Sequence, residues 1–599
     1  MHNNFSSVIA NPFTVSKTSR YSTLDSIITR PDYSEIKELI STTLLGVLIY
    51  ACLRVWAHRR AQHYSKDPKT WPILGSHLEA SRNYDRLLDW TTSFFDEDHR
   101  TVKMTFLARR SYYTVDPANV EHILKTNFQN YPKGVESHRR LFDLLGNGIL
   151  NTDGETWRMH RKLGSLEFSV KKLRHLTSSV YKKNALKLLE RLYGSNEGVD
   201  AQELLLDMTF LSICEVVFGS AFNGESDCNT GAGSVAVSLD NAQEMLTRRY
   251  LYPWWKINKF LNIGSERIFR EDMTKFNNFL LNMIEKRRSQ TALTVDYGND
   301  NYPAEQDLLS RFLCSPQPRS NKDALASSID NEMIKDAMMS FVLAGRDTTA
   351  SSLSWFLYCM CMHPDKQEKI FEEMINLEKS IAKRNGDSNE SHTPLASYTK
   401  YDHNDEAVSK IVQGIKTASN DLFGSSSIML AKKFADEVLT YENLQSSSLP
   451  YLHSAIAETL RLYPAVPRDG KVALEADILP DGTHLKAGDQ VVYVPYSMGR
   501  MPFIWGPDAL AFKPERWIHD GRFQPQSPFK LTAFQAGPRM CLGKDAAYLQ
   551  MKLTAGLLMR FFRFELVPNH PVEYRMMNVM TMKHGLKVNA VAREITQDL

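Results

Sequence analysis

The longest apolar run in the chain lies near its N-terminus, over Leu39–Leu53 (LISTTLLGVLIYACL). Beyond Arg54 it continues through residues 55–57, which brings it to about the 20 residues that a helix needs to span hydrocarbon. The residues that follow are rich in arginine and lysine, and the positive-inside rule places such a flank in the cytosol. We therefore predict a transmembrane helix over 39–57, with residues 1–38 on the lumenal side.

Other interpretations of this region stay open. A cleaved signal peptide fits poorly, because the run begins only at Leu39 and no small-residue cleavage site follows it. A buried helix is another alternative. Residues 1–30 are rich in Ser, Thr and Asn and have no acid before Asp25, a composition faintly like that of an organelle transit peptide. We expect no second membrane-spanning run.

The pattern behind this run is mostly helical. Residues 58–76 are basic and end in the segment KTWPILG, which cannot continue a helix and indicates a linker. From residue 77 onward helical periodicity dominates, with short β-like runs at 101–106, 111–115 and 490–494. Polar stretches at 224–233, 290–306 and 385–426 predict surface loops, the last of them a long insertion. We predict a mainly α fold with small β-sheets, in a single catalytic domain over 77–599.

Composition narrows the class of protein. The chain is 43% hydrophobic and 24% charged, which is typical of a packed globular protein, and its net charge of +3 provides no basic field for nucleic acid. The seven cysteines are scattered without a CxxC pair, so we expect reduced thiols facing the cytosol. Most of them are expected to be small buried apolar residues, and Cys541 is the exception.

The segment Phe534–Gly543 (FQAGPRMCLG) precedes a helix-forming run. Its cysteine lies near free backbone N–H groups and the positive end of a helix, which favour a thiolate. Gly537 and Gly543 permit tight backbone paths and the close approach of a flat cofactor, and Phe534 can pack beside the sulfur. Arg539 can meet an anionic group of the same cofactor. A thiolate ligand of haem iron requires residues of these types.

At every fixed position this segment resembles the haem-binding loop of the cytochrome P450 superfamily, F-x-x-G-x-R-x-C-x-G. The resemblance covers roughly residues 70–590. It implies the mainly helical P450 fold with one haem b, whose iron takes Cys541 as its axial ligand and activates oxygen. The further cofactor-binding residues that it implies in this loop are Phe534, Gly537, Arg539 and Gly543.

Three further motifs occur in the order of that family. Glu458 and Arg461 are three residues apart on a short predicted helix, so they share one face. Arg516 follows in the motif PERW. In the family these three residues form a buried structural triad of ions that shapes the cysteine loop, and breaking one partner of such a network is costly.

The motif AGRDTT, at residues 344–349, lies in an apolar helical run roughly 50 Å long at 1.5 Å per residue. The resemblance assigns catalytic proton delivery to Asp347 and to the hydroxyl of Thr348. Taken by itself, a threonine within a helix more often bonds back to the carbonyl four residues before it. Gly345 would let the backbone approach the face of the haem.

Trp157 and Arg161 are four residues apart on a predicted helix, so they too lie on one face. In the family this W-x-x-x-R pair donates to one haem propionate, and Arg539 is expected to take the other. Lys471 is a weaker third candidate, for which a solvated lysine at the end of a strand is an equal alternative.

Other segments resemble a narrower group, the plant branch of fatty-acid ω-hydroxylases, whose members act on long-chain fatty acids. These segments are NYPKG at 130–134, RLYPAVPRDGK at 461–471, YSMGRM at 496–501, IWG at 504–506, AFKPERW at 511–517 and FQPQSPF at 523–529. Two departures from the branch are Gln535, where His or Asn is more usual, and the long insertion at 385–426. The branch implies hydroxylation of a long-chain fatty acid at the ω position.

Such an enzyme needs an apolar channel with a polar or cationic mouth. The segment Arg248–Lys256 mixes aromatic and cationic residues and is one interpretation of that mouth. An interfacial belt that dips into lipid is the other interpretation. By family position alone, residues near Val135–Leu145 and Ala465–Val466 are expected to line the pocket.

The implied activity is oxygen-dependent hydroxylation with electrons from NADPH, delivered by a separate NADPH–cytochrome P450 reductase. We expect a single-pass protein of the endoplasmic reticulum membrane with its catalytic domain in the cytosol. Its expected partners are that reductase, membrane lipid and a small hydrophobic substrate, and nucleic acid is not among them. The alternatives are a P450 that acts on an alkane, sterol or terpene, a P450 that rearranges peroxides, which Asp347 and Thr348 argue against, and a haem-binding electron carrier or sensor.

Overall fold

A computed structural model describes residues 33–62, 66–107, 109–194, 198–228, 235–249, 254–294, 307–314, 324–386 and 427–593. The chain divides into two compact units, Met1–Ser65 and Lys66–Leu599. Residues 1–32 and most of the predicted insertion at 385–426 lie outside the described residues.

Among its described residues, the first unit forms one helix, α1 (Tyr33–Ala61), which extends beyond both ends of the predicted span. By length and composition, Ile40–Arg60 could cross a membrane. A second helical stretch, Ala201–Ala221, passes the same test, contrary to the expectation of a single run. About 61% of its most apolar window is buried inside the second unit, and a core helix has the same composition.

The second unit is built mainly from helices. In chain order they are α2 (His77–Arg82), α3 (Leu87–Thr92), α4 (Pro117–Glu121), α5 (Val135–Leu145), α6 (Gly154–Ser165), α7 (Val170–Leu176), α8 (Lys182–Tyr193), α9 (Ala201–Phe218), α10 (Glu225–Cys228), α11 (Val235–Arg248), α12 (Trp255–Leu261), α13 (Ser265–Thr294), α14 (Leu308–Cys314), α15 (Ala324–Met362), α16 (Pro364–Gly386), α17 (described over 427–437), α18 (Pro450–Leu462), α19 (Pro495–Met498), α20 (Pro502–Trp505) and α21 (Lys544–Phe561).

The strands of the second unit are short. They are β1 (Thr101–Phe106), β2 (Arg109–Thr114), β3 (Val199–Asp200), β4 (Asp469–Val472), β5 (Asp477–Ile478), β6 (His484–Leu485), β7 (Gln490–Tyr493), β8 (Ile518–His519), β9 (Arg522–Phe523), β10 (Phe562–Leu566), β11 (Tyr574–Arg575), β12 (Thr581–Met582) and β13 (Lys587–Ala592). The largest sheet has the order β1-β2-β7-β4, in which β2 and β7 are parallel and the other pairs are antiparallel. The prediction of a mainly α fold with small sheets is confirmed.

Helix α15 is the longest element. Its 39 residues span about 58 Å at 1.5 Å per residue, and it ends where Pro364 begins α16. It packs along α9 and also contacts α13, α18 and α21. Since α21 follows the cysteine loop directly, α15 brings the AGRDTT motif and that loop into one core.

The segment predicted as a linker is held against the first sheet. Trp71 and Gly75 exchange two backbone hydrogen bonds of 2.8 Å. Gly75 has φ 60°, and a Cβ atom there would lie 2.1 Å from the carbonyl oxygen of Thr105 in β1. Glycine is therefore required where this turn meets the strand.

Helix α18 carries Glu458 and Arg461. A carboxylate of the neighbouring helix α16 lies at the N-terminus of α18. Glu373 of α16 accepts hydrogen bonds from the N–H groups of Tyr451 at 2.7 Å and Leu452 at 2.8 Å. Burial nevertheless raises the pKa of Glu373 from 4.5 to about 7, against the lowering effect of these two bonds.

Replacing Glu373 with Gln should change the pH dependence of stability. Between pH 4.5 and about 7 the folded protein holds a proton at Glu373 that the unfolded chain has released. The free energy of unfolding of the wild type should therefore fall as the pH rises, by up to about 3 kcal/mol relative to the Gln variant. Thermal unfolding of both proteins across this range measures the effect, and parallel pH profiles would contradict it.

Candidate active site

The segment Phe534–Gly543 forms a tight loop in front of α21. Two 3₁₀ turns, Thr532–Phe534 and Gly537–Arg539, lie within and beside it. The N–H of Cys541 donates to the carbonyl of Phe534 at 2.9 Å and closes the loop. The side chain of Cys541 lines a cavity inside the protein. Its surface is therefore accessible to solvent within that cavity.

The two glycines of this loop's motif have different surroundings. Gly537 has φ 65°, and a Cβ atom there would lie 1.9 Å from the carbonyl oxygen of Leu124. Gly537 thus lets the loop pack against the turn His122–Thr126, which is the tight backbone path expected of it, and its approach to a flat cofactor stays a prediction. Gly543 lines the cavity, where a Cβ atom would come within 3.4 Å of the Phe168 ring.

The thiol of Cys541 is subject to opposing influences. Burial raises the pKa of Cys541, whereas the N–H of Gly543 and the positive charge of Arg161 lower it. Burial prevails, so the position before a helix does not by itself produce the thiolate that the sequence led us to expect. A metal cation at Sγ would favour the thiolate, because a metal ligand must be deprotonated.

The three residues predicted to bind propionates lie together. The guanidinium groups of Arg539 and Arg161 lie 4.5 Å and 5.8 Å from the centre of the Trp157 ring. Arg539 Nη2 donates to a backbone carbonyl and to Asp153, and its Nε is buried without a hydrogen-bond partner among the described residues. All three side chains line the cavity.

A lysine that the sequence analysis did not single out joins this group. Lys133 lines the cavity and donates to the carbonyl of Leu150. Burial, with the nearby charge of Lys471, lowers the pKa of Lys133 to about 8. Lys471 is fully buried and paired with Asp469, so it is not a solvated lysine at a strand end. In the sequence, the only indication of a role for Lys133 is its place in the NYPKG segment.

Asp347 and Thr348 point to different sides of α15. Thr348 lines the cavity, and its Oγ1 donates to the carbonyl of Ala344 at 2.7 Å, which is the back-bond expected of an isolated threonine. Asp347 is buried and accepts hydrogen bonds from Gln243 Nε2 at 2.8 Å and Arg346 Nη1 at 2.7 Å. Among the described residues, no hydrogen bond joins the Asp347 and Thr348 side chains.

Gly345 permits the close packing of two helices. A Cβ atom there would lie 2.4 Å from Cδ1 of Ile213 in α9. Both residues also line the cavity. The glycine therefore fixes how near α9 lies to α15, and the predicted approach of its backbone to the face of the haem stays a prediction.

Glu458, Arg461 and Arg516 meet in the protein interior. Arg461 Nε and Nη2 donate to the two Glu458 oxygens at 2.7 Å and 2.8 Å, and Arg516 Nε donates at 2.9 Å. Trp517 Nε1 and the N–H of Lys513 add bonds of 2.9 Å and 2.8 Å. The carboxylate thus accepts five hydrogen bonds.

The cavity beside Cys541 has a volume of about 820 Å³, within the usual range for ligand sites. Its wall includes side chains of the predicted lining segments, among them Leu145, Ala465 and Val466. Further apolar lining residues are Ile149, Ile213, Val216, Leu343 and Val579. The space can therefore hold a large apolar ligand next to the thiol.

The family model for cytochrome P450 matches residues 66–385 and 433–590. This chain belongs to the cytochrome P450 family. The interval between the matched regions, residues 386–432, contains all but the first residue of the insertion predicted at 385–426. As a P450, the chain is a haem-dependent monooxygenase, and members of the family typically receive the electrons of NADPH through a reductase.

Three curated relatives of this chain come from plants. Cytochrome P450 704B1 of Arabidopsis thaliana is 43% identical over 91% of this chain and 99% of its own length. Cytochrome P450 704C1 of Pinus taeda is 37% identical over 93% and 99%, and cytochrome P450 86B1 of Arabidopsis thaliana is 33% identical over 92% and 91%. These similarities agree with the plant branch identified from the sequence segments.

The residues of this P450 fit haem b. A thiol faces a cavity of sufficient size, and a tryptophan and cationic side chains line the same space. The buried Nε of Arg539, which lacks a partner among the described residues, suits a carboxylate. The donor set therefore has the chemistry that iron and propionate groups require.

Replacing Glu458 with Gln should destabilise the protein by about 3–5 kcal/mol, because two guanidinium groups would lose their buried carboxylate. Denaturant unfolding measures the loss. Glu515→Gln is the matched control, since its carboxylate is 33% exposed and pairs with Lys366 and Lys369. The control should lose no more than about 1 kcal/mol. Equal losses of stability in the two variants would show that the triad contributes no more than an exposed ion pair.

Proposed function

We propose that this P450 hydroxylates long-chain fatty acids at the terminal carbon. The observation that carries the proposal is the cavity lining, in which apolar walls are combined with a separate group of cationic side chains. A long apolar chain that ends in one carboxylate has the complementary chemistry. The sequence segments shared with the plant fatty-acid ω-hydroxylase branch support the same substrate class.

The cationic group consists of Arg109, Arg140 and Lys256, which come from β2, α5 and α12. Glu136 lies among them and pairs with Arg109 at 2.8 Å. Burial, and then the charge of Arg140, lower the pKa of His77, which lines the same cavity. The group keeps an excess of positive charge, and this excess suits the carboxylate of a fatty acid.

Arg249 does not contribute to that excess. It is buried and donates to Glu266 at 2.9 Å and 2.7 Å and to Asp143 at 2.7 Å. Two carboxylates therefore neutralise its charge. Within the predicted mouth segment Arg248–Lys256, it is Lys256 that supplies a cation to the lining, while residues 250–253 lie outside the described part of the chain.

The other interpretation of that segment, contact with lipid, is supported by the residues around α12. Trp254, Ile257 and Phe260 are 67%, 54% and 88% exposed. Contiguous exposed apolar side chains mark surfaces that contact membranes or partners. Together with the apolar helix α1, they support a protein held by a single span at the endoplasmic reticulum membrane, with its catalytic unit in the cytosol. There NADPH–cytochrome P450 reductase would be its electron donor.

Cys541 Sγ would hold the haem iron, while Trp157, Arg161 and Arg539 would hold the haem carboxylates. When bound, the haem supplies oxygen activation, which the thiolate ligand promotes. The apolar walls of the cavity exclude water and hold the substrate chain. The residues that shape or brace the cysteine loop are Phe534, Gly537, Gly543, Glu458, Arg461 and Arg516.

Asp347 and Thr348 would supply protons to the reaction. Thr348 presents its hydroxyl on the cavity wall, where Oγ1 can pass a proton after it leaves the carbonyl of Ala344. Asp347 is the nearby acid, and burial raises its pKa. A buried acid that holds its proton more tightly is suited to general acid catalysis near neutral pH.

Cys541→Ala should abolish the red-shifted Soret band of the reduced carbon monoxide complex, because that band requires a thiolate ligand. The spectrum of the full-length protein in membranes is the measurement. Cys314→Ala is the control, since Cys314 is an exposed cysteine outside the cavity lining. Survival of the band in the Cys541 variant would refute the ligand assignment.

With its reductase and NADPH, the protein should convert palmitic and oleic acids to terminal hydroxy acids, which mass spectrometry identifies. Arg140→Gln should raise KM for the acid about tenfold, since a hydrogen bond to a charged group contributes about 1.5 kcal/mol. It should leave KM for the methyl ester almost unchanged. In-chain products would refute the ω assignment, and turnover of sterols, alkanes or terpenes in place of the acids would refute the substrate class.

A further inference from the structure

Two carboxylates share the buried guanidinium of the AGRDTT motif. Arg346 Nη1 donates to Asp347 at 2.7 Å and also to Asp240 of α11, and Nη2 donates to the second oxygen of Asp240 at 2.9 Å. The side chains of Arg346 and Asp347 are 2% and 4% exposed, whereas Asp240 is 34% exposed. The group thus extends from the protein interior to solvent.

The charges in this group do not balance. Asp240 and Asp347 carry two negative charges when both are ionised, and Arg346 supplies one positive charge. An excess negative charge is costly to bury, so the buried acid is favoured to take up a proton. In agreement, burial raises the pKa of Asp347, Arg346 opposes the rise, and the charge of Asp240 adds to it.

Gln243 can satisfy Asp347 in both protonation states. Its Nε2 donates to Asp347 Oδ2 at 2.8 Å, which suits the ionised carboxylate. Gln243 is 1% exposed, and its Oε1 has no hydrogen-bond partner among the described residues. Because an amide can rotate to exchange its oxygen and nitrogen, the same side chain can accept the hydrogen bond of a protonated Asp347.

We propose that Asp240, Arg346 and Gln243 form a proton-loading cluster, which returns Asp347 to its protonated form after each turnover. The proposal rests on the proton-delivery role proposed above for Asp347. Asp240, Arg346 and Gln243 are positioning residues in it, since they act through Asp347 and not on the substrate.

In each cycle Asp347 loses one proton, and one proton from solvent replaces it. Asp347 releases one proton toward the cavity and becomes a carboxylate, which Arg346 and the Gln243 amide group stabilise. One proton from solvent then enters at the exposed carboxylate of Asp240 and is passed to Asp347. An oxygen of each acid binds the same nitrogen of Arg346, so the gap between them is one that a water molecule can bridge. Arg346 keeps its own proton throughout.

The test uses the full-length holoenzyme with its reductase, NADPH and palmitic acid. Asp240→Asn keeps a polar partner for Arg346 but removes the second negative charge, and Gln243→Met removes the amide group while keeping the bulk. Each variant should lower the product formed per NADPH by about threefold or more, because a positioned proton donor contributes substantially to the rate. Each should also increase the solvent deuterium isotope effect on turnover, while KM stays within about twofold of the wild-type value.

Glu244→Gln is the matched control. Glu244 lies on the same helix and pairs with Arg248 and Arg575, outside the cluster. It should retain the wild-type coupling and isotope effect, and Asp240→Glu should restore both. If Asp240→Asn and Gln243→Met behave like the control, the cluster proposal is overturned. A loss of haem content or melting temperature with an unchanged isotope effect would also overturn it, because that result marks a structural role.

Asp347→Asn separates this inference from the proposed function. If this variant keeps normal coupling, the proton-delivery role of Asp347 is wrong and the cluster falls with it. If it loses coupling while Asp240→Asn does not, Asp347 keeps its role and the loading cluster alone is refuted.

Discussion

The carboxylate of Glu458 has no exposed surface, and the position of the cysteine loop depends on how this carboxylate is satisfied. It accepts five hydrogen bonds, and Arg461 also donates to the carbonyls of Gly499, Ala509 and Ala511. A buried charge tolerates neither the loss nor the displacement of such partners, so the segments that supply them are fixed in place. A chain of ring contacts links the triad to the cysteine loop through Trp517, Phe523, His453, Tyr548 and Phe534. Glu458 can thus determine the position of Cys541 without touching it.

The second buried acid, Asp347, is arranged in the opposite way. The donors around Glu458 are complete, and the two guanidinium groups balance its charge together with that of Asp508, which pairs with Arg516. Asp347 instead shares one guanidinium with another carboxylate, and the amide beside it has an oxygen to spare. The surroundings of Glu458 favour the ionised carboxylate alone, which suits a structural role. The surroundings of Asp347 can accommodate both protonation states, which suits a group that must gain and lose a proton. Both types of site come from the same residue chemistry and differ in the count of charges.

The sequence predicted the fold class and the residues that local motifs carry, because those motifs place side chains at fixed spacings. Trp157, Arg161, Arg539 and Cys541 line one cavity, as their motifs implied. The sequence could not predict contacts between segments that are distant in the chain, such as that of Gln243 with Asp347, because no local spacing encodes them. For Gly537 the sequence predicted a tight backbone path, which agrees with its positive φ, but it could not identify Leu124 as the neighbour that requires a glycine. Arg249 belongs to the segment considered for the mouth, and the acids that neutralise it lie on helices whose packing the sequence does not reveal.

The geometry of α15 explains why the acid and the hydroxyl of its motif lie apart. Successive residues of a helix point about 100° away from each other, and in α15 Thr348 lines the cavity whereas Asp347 bonds to Gln243 of α11. Close packing at Gly345 holds α9 against this part of α15, and Asp347 meets α11 where polar groups can solvate its charge. Thr348 remains on the wall of the apolar space. Under the proposed function, an acid on that wall would repel the carboxylate of a fatty acid. The separation of Asp347 from the hydroxyl would let one helix serve both the proposed proton storage and the binding of an apolar chain.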